Sequence, residues 1–227
     1  SDDGIRTLYN GYDRTYSITM FMSKENERLL GIESNGVLYL GVESKDFHVE
    51  NPGRRKDKLN LIFIGNDLKR KHVDEFLELA KLFPNMTFNV VGGDSSFQAE
   101  LAQKNLSNVT YHGRLAHSDL AKLLGKMDLH VFPSRSEGFP KVTLETAAAG
   151  VPSIVYSDYG ASEWITSGKD GFVVDTFDEI TEILTDLQSH PEKLKKLSAN
   201  AVAMADRFDW SAVIKDWENA IVDFCKE

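Results

Sequence analysis

The chain is poor in the residues that make a chemistry easy to name. Cys225 is its only cysteine, which excludes an intramolecular disulfide or a thiolate metal cage and makes a reducing, cytoplasmic setting the simpler expectation. Six prolines are too few for an extended or low-complexity chain. No apolar run approaches the roughly 20 residues of a membrane helix, and no signal-peptide pattern opens the sequence. Basic residues are outnumbered, 26 Lys and Arg against 35 Asp and Glu for a net charge of −9, so a nucleic-acid partner is not expected. There is no P-loop, H-E-x-x-H, G-x-S-x-G or G-x-G-x-x-G string. Asp-x-Asp and paired Cys or His spacings for a metal are lacking too. The six histidines are scattered and read as surface or turn residues.

With 41% hydrophobic and 27% charged residues, the chain has the composition of an ordinary globular protein. Its length allows one large domain, or one domain and a piece of another, with a sizeable core. Apolar runs at 61–64, 87–91, 109–111, 129–132, 153–156 and 172–174 read as buried strands. Amphipathic stretches fall between them, at 73–83 and at 119–126 with Ser118 as N-cap. This alternation predicts an α/β fold, a doubly wound parallel sheet covered on both faces. Ahead of it, residues 1–16 read as poorly ordered, 17–22 and 37–40 as short strands, and 24–30 as a short helix. The polar, cationic stretch 51–58 marks a linker. From residue 178 onward the chain reads as helical, with Pro191 opening one helix and 212–224 forming the last. Trp210 and Trp217 read as packing anchors.

The most informative stretch is 128–156. A short strand ends at Pro133 and Ser134, a loop carries Glu137, and Pro140 precedes an Ala-rich helix, 142–149, closed by Gly150. The free N–H groups of that helix face the carboxyl end of a parallel strand, where doubly wound sheets bind ligands and an anion is favoured. Glu137 and Glu145 can both face this crevice. Carboxylates accept from sugar hydroxyls while backbone N–H groups and Lys141 take phosphate oxygens.

The string from Ser134 to Pro140, followed by that from Leu144 to Pro152, resembles the donor-site signature of retaining glycosyltransferases of family 4. That family has the two-domain GT-B fold, and its signature is two glutamates separated by seven residues. The resemblance implies the nucleotide-sugar-binding half of such an enzyme: a Rossmann-like sheet with a C-terminal helical extension. Glu137 would be the catalytic-site carboxylate on the donor sugar, and Glu145 would hold the ribose. Lys71 and the backbone of Phe139, Pro140, Lys141 and Val142 would bind the diphosphate, with Gly138 also at the donor site. The turn at Gly65 and Asn66 matches the family's phosphate loop, except that Asn66 stands where the family carries arginine. Lys69 and Arg70 are nearby but out of register. Arg114 and Leu115 match the loop that holds the base, and 160–163 a position near the sugar pocket, although Glu163 is equally a helix-start acid.

By the same resemblance residues 1–58 are the tail of an acceptor domain and its linker, 59–208 the donor domain, and 209–227 a helix crossing back. The first residue, Ser1, is read as marking a processed or trimmed product. Transfer from a nucleoside diphosphate sugar to a saccharide or lipid acceptor is expected, without metal or cofactor. The acceptor, and any peripheral membrane contact, would be reached through the missing domain, so this chain alone should bind donor and transfer little. A sugar-nucleotide epimerase of the same fold and a non-catalytic nucleotide-sugar-binding module remain the alternatives, both kept open by Asn66.

Overall fold

Continuous apolar runs bounded by Gly, Pro and Asx residues become the inner strands of a parallel sheet, buried on both faces, while its two edge strands, 109–113 and 172–174, stay partly exposed. The computed structural model describes residues 2–9, 11–49 and 58–226. The chain begins with helices Asp2–Tyr9 (α1), Met20–Leu30 (α2) and Ser44–Phe47 (α3). It then alternates: Asn60–Gly65 (β1), Val73–Leu82 (α4), Thr87–Gly92 (β2), Ser95–Gln103 (α5), Val109–Gly113 (β3) and His117–Leu124 (α6). Leu129–Phe132 (β4), Lys141–Ala148 (α7), Ser153–Tyr156 (β5), a 3-10 turn at Ala161–Glu163 and Phe172–Val174 (β6) follow. Helices Phe177–Ser189 (α8), Lys193–Arg207 (α9) and Trp210–Phe224 (α10) complete the order.

All the strand pairings within the sheet are parallel, in the order β3-β2-β1-β4-β5-β6. The direction of winding reverses between β1 and β4, so a crevice opens at their carboxyl ends. Side chains alternate between two cores. Phe63 and Phe88 pack on Phe76 of α4 on one face, while Phe132 and Val155 join Leu144 and Ala147 of α7 on the other. Helix α7 stops where Gly150 adopts φ 72, a left-handed conformation cheap only without a Cβ.

Local differences from expectation have local causes. Residues 17–22 do not form a strand: Ser17 makes one isolated bridge to Val37, and α2 already begins at Met20. Thr19 accepts from the backbone N–H of Met22 at 3.0 Å, and the distant Glu163 accepts from Met20 and Phe21 at 2.8 and 2.5 Å. A tertiary cap therefore overrides β propensity. Likewise 37–40 finds no strand partner beyond that bridge. Residues 2–9 are helical rather than irregular. Ala116, not Ser118, occupies the N-cap of α6. Of the 51–58 linker, all but Lys58 lies outside the described residues.

The segment before the sheet packs directly upon it. Tyr39 meets Phe139 and Phe208 at ring separations of 6.0 and 5.6 Å. A Cβ on Gly41 would run into the Trp210 ring, and the Trp217 indole donates to the Tyr39 carbonyl at 2.9 Å. Both tryptophans are thus packing anchors in the structure. Asp209 caps α10 through Ser211 and also accepts from the Ser44 N–H at 3.1 Å, so one carboxylate fixes α10 against α3.

Candidate functional site

Two turns meet at the reversal point. The first leaves β1 at Gly65 and winds through Lys71, and the second leaves β4 at Pro133 and reaches α7 at Lys141. Between them, with the β3–α6 turn, lies a cleft of about 310 Å³. Gly65 is required there because a Cβ would come within 2.5 Å of the Lys71 stem. Gly92, at φ 109, lies so close that a Cβ would overlap the Gly65 carbonyl. Two glycines thus let β1 and β2 end side by side under the cleft.

Lys71 lies over the Phe132 ring, its Nζ 4.6 Å from the centroid, and donates to Glu137 Oε1 at 2.7 Å. The same oxygen accepts from buried Ser134 at 2.7 Å and from Arg70 at 3.2 Å. Lys71 and Glu137 are 15% and 11% exposed, so this ion pair is sheltered from solvent screening. Glu145, one turn into α7, faces the same cleft. Burial pushes its carboxyl above the ordinary value, against the opposing pull of His117 and Lys141. Arg114 ties the β3–α6 turn to the end of β2 by donating to the Gly93 carbonyl at 3.0 Å.

An anion at this place would meet the first-turn N–H groups of α7 and the cations Lys71 and Lys141, with carboxylates beside it for hydroxyl groups. Among the described residues no three His, Cys, Asp or Glu side chains converge to hold a metal ion. A wider hollow of about 610 Å³, between α5 and the beginning of β3, carries no charged side chain and lies away from the carboxyl ends of the strands.

The family model of glycosyl transferases group 1 matches residues 44–204. The chain belongs to this family. A curated relative from Campylobacter jejuni, named N,N'-diacetylbacillosaminyl-diphospho-undecaprenol alpha-1,3-N-acetylgalactosaminyltransferase, is 30% identical over 201 residues, which is 82% of this chain and 52% of the relative. An uncharacterized 41.2 kDa protein in the cps region of Klebsiella pneumoniae is 30% identical over 60% of this chain and 38% of its own length. The chain thus spans about half the length of curated relatives it matches. Among solved structures, the sucrose-phosphate synthase of Thermosynechococcus elongatus superposes with a TM-score of 0.88 at 18% identity, over 100% of this chain and 62% of that one. Anabaena Alr3699/HepE, in complex with UDP and glucose, gives 0.81 at 18% identity, over 98% and 67%. The fold is that of one half of a GT-B glycosyltransferase.

In this group 1 domain the residues singled out in the sequence sort into three places. Gly65, Asn66, Lys71, Arg114, Leu115, Pro140, Lys141, Val142 and Glu145 line the cleft. Glu137 joins it through Lys71. Gly138 and Phe139 contribute no side chain to it: a Cβ on Gly138 would meet Ile18 and Met22, and the Phe139 ring packs edge-on against Trp164 at 4.8 Å, so the part expected of both is a backbone one. Glu163 is committed elsewhere, accepting from the first amides of α2 and from the Tyr39 hydroxyl at 2.8 Å. Burial, reinforced by this bond, pushes the Tyr39 hydroxyl up to about 12.

Sequence reasoning passed over His117, whose side chain also lines the cleft and rests on Phe47 at 5.7 Å. Its signal was its place at a helix start just after the Arg114 turn. Nor is His130 a surface residue: it is fully buried in β4 with Nδ1 3.0 Å from the Ser153 hydroxyl.

Proposed function

We propose that this chain is the donor-binding half of a retaining, metal-independent glycosyltransferase that moves a sugar from a nucleoside diphosphate to a saccharide or lipid acceptor. The observation that carries the reading is the sheltered Lys71–Glu137 pair, 2.7 Å apart, at the sheet reversal and in one site with Glu145. The diphosphate takes Lys71 and the N-terminal amides of α7. Glu137, released from Lys71, accepts from hydroxyls of the donor sugar, and Glu145 from the ribose. As the bond from the anomeric carbon to the diphosphate breaks, negative charge grows on the departing oxygen. Fixed cations and helix amides stabilise that charge best where water is excluded. Retention and independence from metal follow the resemblance of the Glu137-to-Glu145 signature.

Relatives support the ligand class: the Campylobacter protein is named as a sugar transferase onto a diphospho-undecaprenol substrate, and the pneumococcal GtfA structure holds UDP and GlcNAc. Acceptor groups belong to the acceptor half of the longer enzyme, so the isolated chain binds donor and transfers little. The neutral Asn66 in the cleft wall favours one second reading, a nucleotide-sugar-binding module without transfer. Incubating a longer protein that carries this domain with nucleotide sugars and saccharide or lipid-linked acceptors, with and without EDTA, tests both. Product with the donor's anomeric configuration, formed equally in EDTA, is expected. An inverted product, or activity lost in EDTA and restored by a divalent cation, would contradict the proposal. Release of an epimerised free sugar nucleotide would point to the epimerase alternative.

A further inference from the structure

We propose that Arg70 is a second phosphate-binding cation, reaching the distal phosphate of the nucleoside diphosphate sugar; this rests on the nucleotide-sugar reading above. Arg70 stands in the turn between β1 and α4. Its Nη1 donates to the Ser136 carbonyl at 2.6 Å and its Nη2 to Glu137 Oε1 at 3.2 Å, so the guanidinium spans the gap to the turn before α7. Glu137 Oε1 already receives Lys71 and Ser134, each at 2.7 Å. One carboxylate therefore faces two full positive charges and neutralises one. Asp67 lies farther off, 4.0 Å from Arg70 Nε, and is 61% exposed against 11% for Glu137, so it offsets the Arg70 charge less than Glu137 does. The surplus charge sits where an anion can collect it, and a planar guanidinium suits the geometry of phosphate oxygens.

The order of groups indicates which phosphate. Leu115, His117 and Glu145 share the cleft with Lys71, whereas Arg70 stands beyond Lys71, on the Glu137 side. A nucleoside held near Glu145 brings its first phosphate to Lys71 and its second to Arg70. Asn66, from the same turn, adds no charge. Lys69 lines a separate hollow of about 330 Å³ with Asp94 and Glu100. Arg70 also makes its contacts from a half-exposed position, so its replacement leaves the fold intact.

Titration calorimetry of this chain with UDP, GDP and ADP identifies the diphosphate that the wild type binds. Arg70→Gln, Arg70→Lys and Lys69→Gln are then titrated with that diphosphate and with its monophosphate. Arg70→Gln is expected to weaken the diphosphate about 10- to 100-fold and the monophosphate less than about threefold. Arg70→Lys should recover part of the loss, and Lys69→Gln should match the wild type. Unchanged diphosphate affinity in Arg70→Gln would overturn the proposal. So would equal losses for both nucleotides, which would assign Arg70 to holding the loop. Binding of none of the three diphosphates by the wild type would fail the nucleotide reading itself, and this proposal with it.

Discussion

Two residues in and beneath the cleft carry opposite pH signatures. Burial raises the Glu145 carboxyl above its usual 4.5, so folding favours the protonated form. The penalty on the ionised form is absent below pH 4.5 and grows as pH rises through the folded value. Glu145→Gln should therefore melt higher than the wild type at pH 7 and equal to it near pH 4, while binding nucleotide more weakly. A lower melting temperature at pH 7 would show that the carboxylate has a partner worth more than its desolvation. His130 behaves inversely. Burial first, and the Lys71 charge second, hold its imidazole down at about 3 against a usual 6.5, so folding favours the neutral ring. Its contribution is full above pH 6.5 and is lost as pH falls toward 3, reaching about 2 kcal/mol by pH 5. In urea titrations at pH 7 and pH 5, His130→Leu should remove most of that difference, with Ser153 keeping Thr146 as a partner at 3.2 Å. An unchanged pH slope would assign the acid sensitivity to other groups.

At the scale of elements, the N-terminal segment is held to the sheet domain by side-chain caps. Glu163 shares the capping of α2 with Thr19 and orients Tyr39, so Glu163→Ala leaves two amides and a hydroxyl without their acceptor. A loss of about 1–3 kcal/mol in chemical unfolding is expected, with nucleotide affinity unchanged. A specific loss of affinity at full stability would instead place Glu163 at the ligand. The same cap explains what the sequence concealed. Strands 129–132 and 153–156 were legible because each is a short apolar run between turn residues, which is what a strand buried on both faces must be, and the edge strand 172–174 keeps the same pattern although partly exposed. The start of α2 was not, since its decisive acceptor lies more than a hundred residues away. Within the site, about half of the cleft lining could be read from the stretch between Ser134 and Gly150 and the turn after β1, and Arg114 and Leu115 from the turn after β3. His117 and the reach of Arg70 could not, because each depends on how three turns converge rather than on spacing within one.

Across the whole molecule, a net charge of −9 coexists with a cleft lined by Lys71, Arg114, Lys141 and Glu145, with Glu137 and Arg70 joined to it at Lys71. The acidic surface disfavours polyanions in general, while the cleft offers a small anion local cations and helix amides. Such a charge distribution favours a small anion at the cleft over a polyanion spread across the surface. The measurement that bears most directly on it is thermal unfolding of this chain with UDP, GDP, ADP and their sugars, each beside Glu145→Ala and referred to that variant's own baseline. Ligand at 100 times its Kd adds about 2.7 kcal/mol, a rise of roughly 5–10 °C for a chain of this size. A rise with the nucleotides of one base, abolished in Glu145→Ala, is predicted. No rise with any of them, or an equal rise in the variant, would contradict nucleotide-sugar binding at the β1–β4 cleft.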